Sequence, residues 1–304
     1  MTDPHVLFVF VDGLGIGRAD AATNPCTAAG LTLFDTFSDV ARRAPLPFGG
    51  HVIPLAADLG VPGKPQSATG QTTLFTGANA AELLGGHLWA FPNETLRNVI
   101  DEHSLFRAVA ARGFEATFAN AYRPDFFATP YESMLGRVSV TTHAVRAAGL
   151  RYRTLDDLAR GEAVYHDIRR EHARAHGFNV PTVTPAEAGR HLAALVRAHH
   201  LTVWEYFLTD VAGHRGEWAG AERTLCDLEG LLLACLADLD LAQVTVLLTS
   251  DHGNIEDLST RGHTSNPVQT LLWGRGAAAL AARMRTLLDV YPGLLSLFPP
   301  GRAA

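Results

Sequence analysis

The sequence predicts an α/β fold, a doubly wound and mostly parallel sheet flanked by helices. Four apolar, β-rich runs are continuous rather than alternating: VLFVFVD ending at Asp12, EATFAN at Asn120, VWEYFLTD at Asp210 and VTVLLTSD at Asp251. Continuous hydrophobicity over a strand length means burial on both faces, the condition of a parallel strand covered by helices. Helical patterns fall between the runs, around 104–112, 185–199, 221–239 and 277–290, and such strand, loop, helix repetition winds a parallel sheet. Each run also ends in a polar residue, and sheets of this kind bind ligands at the carboxyl ends of their strands.

The chain is long enough for a sizeable core, with 304 residues of which 47% are hydrophobic and 18% charged. We expect one main body, residues 1–122 and 185–304, interrupted at 123–184 by a segment richer in Arg, His and Tyr with weaker periodicity, which reads as a small inserted cap. The 25 basic and 31 acidic residues give a formal charge of −6, with no basic run of the kind that follows a phosphate backbone, so no nucleic-acid partner is expected. The apolar run at 6–11 is too short for a membrane span or a signal-peptide core and reads as a strand, so no membrane association is expected. Cys26, Cys226 and Cys235 are odd in number and form no CxxC pair, which predicts buried free thiols in a reducing cytoplasm. The tail PPGRAA reads as frayed.

Asp210 and His214 form a DxxxH pair directly after an apolar run; on a helix, residues four apart share a face and can hold one ion between them. Read alone, the pair is equally a local salt bridge. Asp251-His252-Gly253-Asn254 follows an abrupt change from apolar to polar residues, and Gly253 permits close backbone approach. His263 lies in the polar loop RGHTSNP, where a single histidine is ordinarily no ligand. VDGLGIG invites a dinucleotide-binding reading, but Arg18 occupies the third glycine position, and Asp12 would face the pyrophosphate; a carboxylate there suits a cation. Finally, KPQSATGQTTLFTG can place the Ser67 hydroxyl at a helix N-terminus, where backbone N–H groups favour phosphate, although most such segments are ordinary helix caps.

Together these residues resemble the metalloenzyme branch of the alkaline phosphatase superfamily, particularly cofactor-independent phosphoglycerate mutases and phosphopentomutases. The resemblance covers roughly residues 6–87 and 203–273 and keeps the family's order of strand-Asp, Ser/Thr nucleophile, DxxxH, DH and a lone His. It implies an alkaline phosphatase-like core with two divalent ions, Mn²⁺ or Zn²⁺ foremost and Mg²⁺ as a third candidate. One ion would be held by Asp12, Ser67, Asp251 and His252, the other by Asp210, His214 and His263. Ser67 would be the nucleophile, with Thr69 second in line, and Gln71 stands where the family motif has a His.

The implied chemistry is two-metal phosphoryl transfer on a small phosphate ester through a phosphoserine. The insertion of roughly sixty residues is short for the cap that a mutase needs to exclude water, which favours a phosphatase or phosphodiesterase. A phosphomutase is the alternative, and a non-catalytic metal- or phosphate-binding relative the third reading. Thr69, His87, Arg97 and Arg123 are candidate substrate contacts, since Arg forks suit phosphate.

Overall fold

The computed structural model describes residues 3–42 and 44–301; residues 302–304 of the PPGRAA tail lie outside the described residues. The strands are β1 (His5–Val11), β2 (His51–Leu55), β3 (Ala116–Phe118), β4 (Ala121–Tyr122), β5 (Arg153–Thr154), β6 (Leu201–Tyr206), β7 (Val244–Ser250) and β8 (Val268–Gly274). Six of them form one sheet in the order β2-β8-β7-β1-β6-β3. β1 pairs in parallel with β6 and β7, and β3 in parallel with β6, whereas β8 runs antiparallel to both β7 and β2. The four expected runs are thus neighbours in a mixed sheet, β7, β1 and β6 inside it and β3 at its edge.

The alternation of β1 shows why its sequence is continuously apolar. Leu7, Val9 and Val11 enter one core beneath the helices Pro185–Ala198 and Trp218–Asp238, while Val6, Phe8 and Phe10 enter a second core on the opposite face. The second core is organised by Phe75, whose ring lies 5.4 Å from that of Phe8, 6.0 Å from Phe10 and 6.2 Å from Phe106. Phe75 belongs to the helix Ser67–Thr76, all ten residues of which are buried.

Register then positions the chemistry. Val11 pairs with Tyr206 on one side and Ser250 on the other, so the residues that follow all three strands emerge at one level. Asp12 and Asp251 leave β1 and β7 directly, and β6 passes into the helix Leu208–Arg215 that carries Asp210 and His214.

Three features depart from the sequence expectation. β2 and β8 were not anticipated: β8 carries Gln269 and Thr270 within an apolar run, and β2 contains Pro54, which is tolerated because β2 is an edge strand. The helix expected over 277–290 ends at Arg283, and a 3-10 turn, Leu287–Asp289, precedes a further helix, Val290–Leu295. Of the three cysteines, all free, Cys226 is exposed rather than buried. Between β3 and β6 the chain forms the small β4–β5 pair and short helices around its own apolar cluster of Leu158, Ala163, Tyr165, Ala173 and Val180 with Ala121. No helix among the described residues is long and apolar enough to cross a membrane.

Removing the ring at the centre of the second core should cost about 3–5 kcal/mol of stability. Phe75→Ala is therefore expected to shift the urea midpoint downward with little change in m-value, and a midpoint within error of the parent protein would show that Phe75 does not anchor that face.

Candidate metal centre

At the carboxyl edge of the sheet, two groups of side chains converge. Asp12, Asp251 and His252 form one and Asp210, His214 and His263 the other, each with its potential donor atoms within 4.8 Å of one another. The groups abut, because the rings of His252 and His263 stack with centroids 3.6 Å apart at 14°. Ser67, the first residue of its helix, lies against the first group: its Oγ is 3.0 Å from His252 Nε2, which in turn is 3.1 Å from Asp12 Oδ1 and 3.6 Å from Asp251 Oδ2. No side chain caps this helix at Gln66.

In the second group, His214 Nε2 is 3.4 Å from Asp210 Oδ2 and His263 Nε2 is 3.6 Å from Asp210 Oδ1. The opposite ring nitrogens are occupied by backbone carbonyls, His214 Nδ1 with Arg261 O at 2.7 Å and His263 Nδ1 with Pro65 O at 2.9 Å. A proton on Nδ1 donated to a carbonyl leaves the Nε2 lone pair directed at the cluster, the arrangement that orients imidazole toward a metal.

Electrostatics explains what this assembly requires. Burial pushes the Asp12 carboxyl well above the ordinary range, and the nearby Asp251 charge pushes it further. Asp251 is likewise raised by burial, against the pull of His252 and a hydrogen bond from Gln71. For His252, burial opposes protonation, but Asp251 and Asp12 prevail and raise its pKa to about 10. Burial and the neighbouring His252 charge lower His263 to about 4. Asp12 Oδ1 is buried and faces His252 Nε2 at 3.1 Å. Carboxylates gathered in a buried site, with imidazole nitrogens presented to them, fit a pair of divalent cations: such oxygen and nitrogen sets suit Zn²⁺, Mn²⁺ or Mg²⁺.

Three supporting residues had no role assigned from sequence. Gln71 donates from Nε2 to Asp12 Oδ2 at 3.1 Å and to Asp251 Oδ2 at 3.0 Å, and so bridges two carboxylates. Asn254 donates to Asp210 Oδ1 at 2.7 Å, and Gly213 is required there because a Cβ would stand 2.5 Å from Asn254 Oδ1. Glu256 joins the loops: it accepts from Gly15 N at 2.9 Å, Asn254 N at 2.7 Å, Thr264 Oγ1 at 2.5 Å and Asn266 Nδ2 at 3.0 Å. The nearness of DHGN to Glu256 in sequence was the only available signal for it.

The remaining candidates lie as follows. Thr69 is buried two residues beyond Ser67 in the first turn of the helix, its hydroxyl donating to Gln66 O at 3.0 Å. His87 Nε2 lies 3.3 Å from Val61 O, and Arg97 donates to Pro92 O at 2.7 Å. Arg123 pairs with Asp125 at 2.9 Å, with Nη1 buried and unpartnered. The structure does not place these four within either ligand group.

Comparison with known proteins agrees with the fold. Residues 175–298 match the family model described as the metalloenzyme superfamily. A 2,3-bisphosphoglycerate-independent phosphoglycerate mutase of Dinoroseobacter shibae is 34% identical over 113 residues, 35% of this chain and 22% of the mutase; that of Ruegeria pomeroyi is 32% identical over 120 residues, 37% and 24%. The match thus spans about a quarter of the length of these relatives. Among solved structures, a Pyrococcus horikoshii protein superposes with a TM-score of 0.58 at 14% identity over 100% of both chains. The alkaline phosphatase of the Antarctic bacterium TAB5 gives 0.55 at 11% over 98% of this chain and 99% of its own. The fold is thus like that of the TAB5 alkaline phosphatase, and the C-terminal part of the chain is similar to the metalloenzyme superfamily and distantly to the phosphoglycerate mutases.

One buried acid beside the centre sets a pH dependence. Glu205 in β6 is raised to about 7 by burial, despite a hydrogen bond from Thr141 Oγ1 at 2.7 Å, with the Asp251 charge adding to the rise. The unfolded chain ionises this group near its ordinary pKa while the folded chain keeps it protonated, so its contribution destabilises progressively from about pH 4.5 to 7 and is constant above. Glu205→Gln should flatten the metal-free protein's stability over that interval and raise it by on the order of 3 kcal/mol above pH 7; an unchanged profile by urea unfolding in chelator would count against a raised Glu205.

Proposed function

We propose that this chain is a two-metal phosphoryl-transfer enzyme, a phosphatase or phosphodiesterase that acts on a small phosphate ester through a phosphoserine at Ser67. The observation that carries this reading is a hydroxyl set against one of two abutting ligand groups, Ser67 Oγ lying 3.0 Å from His252 Nε2 at the start of a buried helix and the His252 ring stacking on His263 of the other group. Asp12, Ser67, Asp251 and His252 would hold one ion and Asp210, His214 and His263 the other, with Mn²⁺ or Zn²⁺ foremost and Mg²⁺ as a third candidate. Bound cations of this kind lower the pKa of a serine hydroxyl, neutralise phosphoryl oxygens and stabilise the leaving oxygen.

The chain's own groups supply the positioning. The uncapped N-terminus of the Ser67–Thr76 helix directs backbone N–H groups and the positive end of the helix dipole toward the phosphoryl oxygens. Ser67 Oγ attacks phosphorus in line, the ester oxygen leaves, and water then hydrolyses the phosphoserine. Thr69 is the weaker nucleophile candidate because its hydroxyl proton is engaged by Gln66 O. Gln71, Asn254 and Glu256 hold the carboxylates and loops in place.

Residues 123–184 would form a small cap on a core of 1–122 and 185–304. Its modest size supports release of the phosphoryl group to water rather than return to the substrate. The names of the matched relatives favour a phosphomutase as the second reading. Three free cysteines are compatible with a reducing compartment such as the cytoplasm.

Metal-stripped protein resupplied with Mn²⁺, Zn²⁺ or Mg²⁺ should release the alcohol from an aryl phosphate or aryl phosphodiester. Ser67→Ala should reduce kcat by on the order of 10⁴-fold or more while ions remain bound. Turnover by Ser67→Ala close to that of the parent would remove Ser67 from its role and promote Thr69. His263→Ala should lower the occupancy of one ion selectively, and full retention of both would overturn the ligand assignment.

A further inference from the structure

A cavity of about 480 Å³ opens beside the N-terminus of the Ser67 helix, lined by Pro62, Gly63, Lys64, Gln66, His87 and Trp89. Its two walls are loops held together by His87 Nε2 against Val61 O, and the second loop is tied to the helix through Leu88 N and Thr69 Oγ1 at 3.4 Å. Gln66, one of the lining residues, immediately precedes Ser67. A group bound in this cavity therefore lies next to the proposed nucleophile.

The chemistry of the lining is distinctive. Lys64 is the only lysine in the chain; every other basic residue among the 25 is arginine. It is exposed and forms no ion pair among the described residues, although the protein carries an excess of acid. An ammonium on a flexible stem serves as an adaptable point charge for an anion, unlike the rigid fork of arginine. Trp89, also in the lining, is 71% exposed, the most exposed large hydrophobic residue among the described residues. The loop displaying it contains Ala90 in the left-handed region at φ 59°, and the facing loop contains Leu59 at φ 53°, conformations that cost free energy for residues other than glycine. In the same walls, Gln66 Oε1 and His87 Nδ1 are enclosed without a hydrogen-bond partner. A strained loop that presents a bare indole beside an unpaired cation and unpartnered polar atoms has the composition of a binding subsite.

We propose that this cavity receives the leaving group of the substrate, and that this leaving group carries a flat ring and a second negative charge. The ring stacks on the Trp89 indole, the charge pairs with Lys64, and Gln66 and His87 supply polar contacts at the edge. The inference rests on the phosphoryl-transfer reading of the adjoining centre and extends it to the class of ester accepted.

The test compares three phosphate esters with the metal-loaded protein: 4-carboxyphenyl phosphate with ring and charge, phenyl phosphate with the ring alone, and a short carboxyalkyl phosphate with the charge alone. The first should have the lowest KM. Lys64→Ala should raise KM about tenfold for the two carboxylate esters and leave phenyl phosphate unchanged, with Lys64→Arg retaining most of the preference. Trp89→Ala should raise KM about five- to tenfold for the two ring esters only, with kcat little changed because these contacts are made equally in ground and transition states. Both side chains are exposed, so folding is not at stake. Equal KM values for the three esters, or variants that shift all three alike, would overturn the subsite while leaving the phosphoryl-transfer reading intact. Absence of metal-dependent turnover in the parent protein would instead reject that reading. In that event, quenching of indole emission by 4-carboxyphenyl phosphate, lost in Trp89→Ala and weakened in Lys64→Ala, would still support the subsite, and no quenching in the parent would reject it.

Discussion

Everything at the carboxyl edge of this sheet follows from the burial of like charges. Asp12 and Asp251 emerge directly from neighbouring strands, and Asp210 stands in the first turn of the helix that follows the third, so the register of β1 against β6 and β7 brings three carboxylates together, two of them buried and Asp210 half-buried. Their mutual repulsion and lost hydration require compensation. The surrounding structure supplies it through His252 beside Asp12, Gln71 across Asp12 and Asp251, Asn254 on Asp210, and imidazole nitrogens of His214 and His263 turned inward by backbone carbonyls. Divalent cations complete such a set, and this is the physical basis for reading the site as a metal centre.

The same constraint accounts for the rigidity around it. Ser67 is not on a mobile loop: it begins a helix buried at every position and anchored through Phe75 in the second core. Glu256 ties its own loop to the one after β1: its carboxylate accepts from the distant Gly15 and from the nearby Asn254, Thr264 and Asn266. A Cβ at Gly15 would come within 2.4 Å of that carboxylate, and one at Gly253 within 2.2 Å. Glycine at these positions is therefore a condition of close approach and not merely of turn formation.

The legible part of the site was the part written locally. Asp12, Asp210 and Asp251 each mark the sudden end of an apolar run, and a strand buried on both faces leaves few other ways to write such a sequence. His263 was legible only through the family order, since a lone histidine in a polar loop carries no local signal. Gln71, Asn254 and Glu256 escaped because each has a decisive partner far along the chain; Gln71 meets Asp251 180 positions away, Asn254 meets Asp210 44 away and Glu256, besides its near neighbours, meets Gly15 241 away. β8 was obscured for a similar reason, since Gln269 reaches Leu33 O and Thr270 meets Thr249, contacts that allow polar residues inside a buried strand.

The central claim is that the chain binds two ions in two adjoining sites. Native mass spectrometry of the intact chain after stripping and titration with Mn²⁺ or Zn²⁺ counts them directly. A species with two ions per chain is expected, reached through a one-ion intermediate and abolished by chelator. A protein that takes up no ion, or saturates at one, would contradict it.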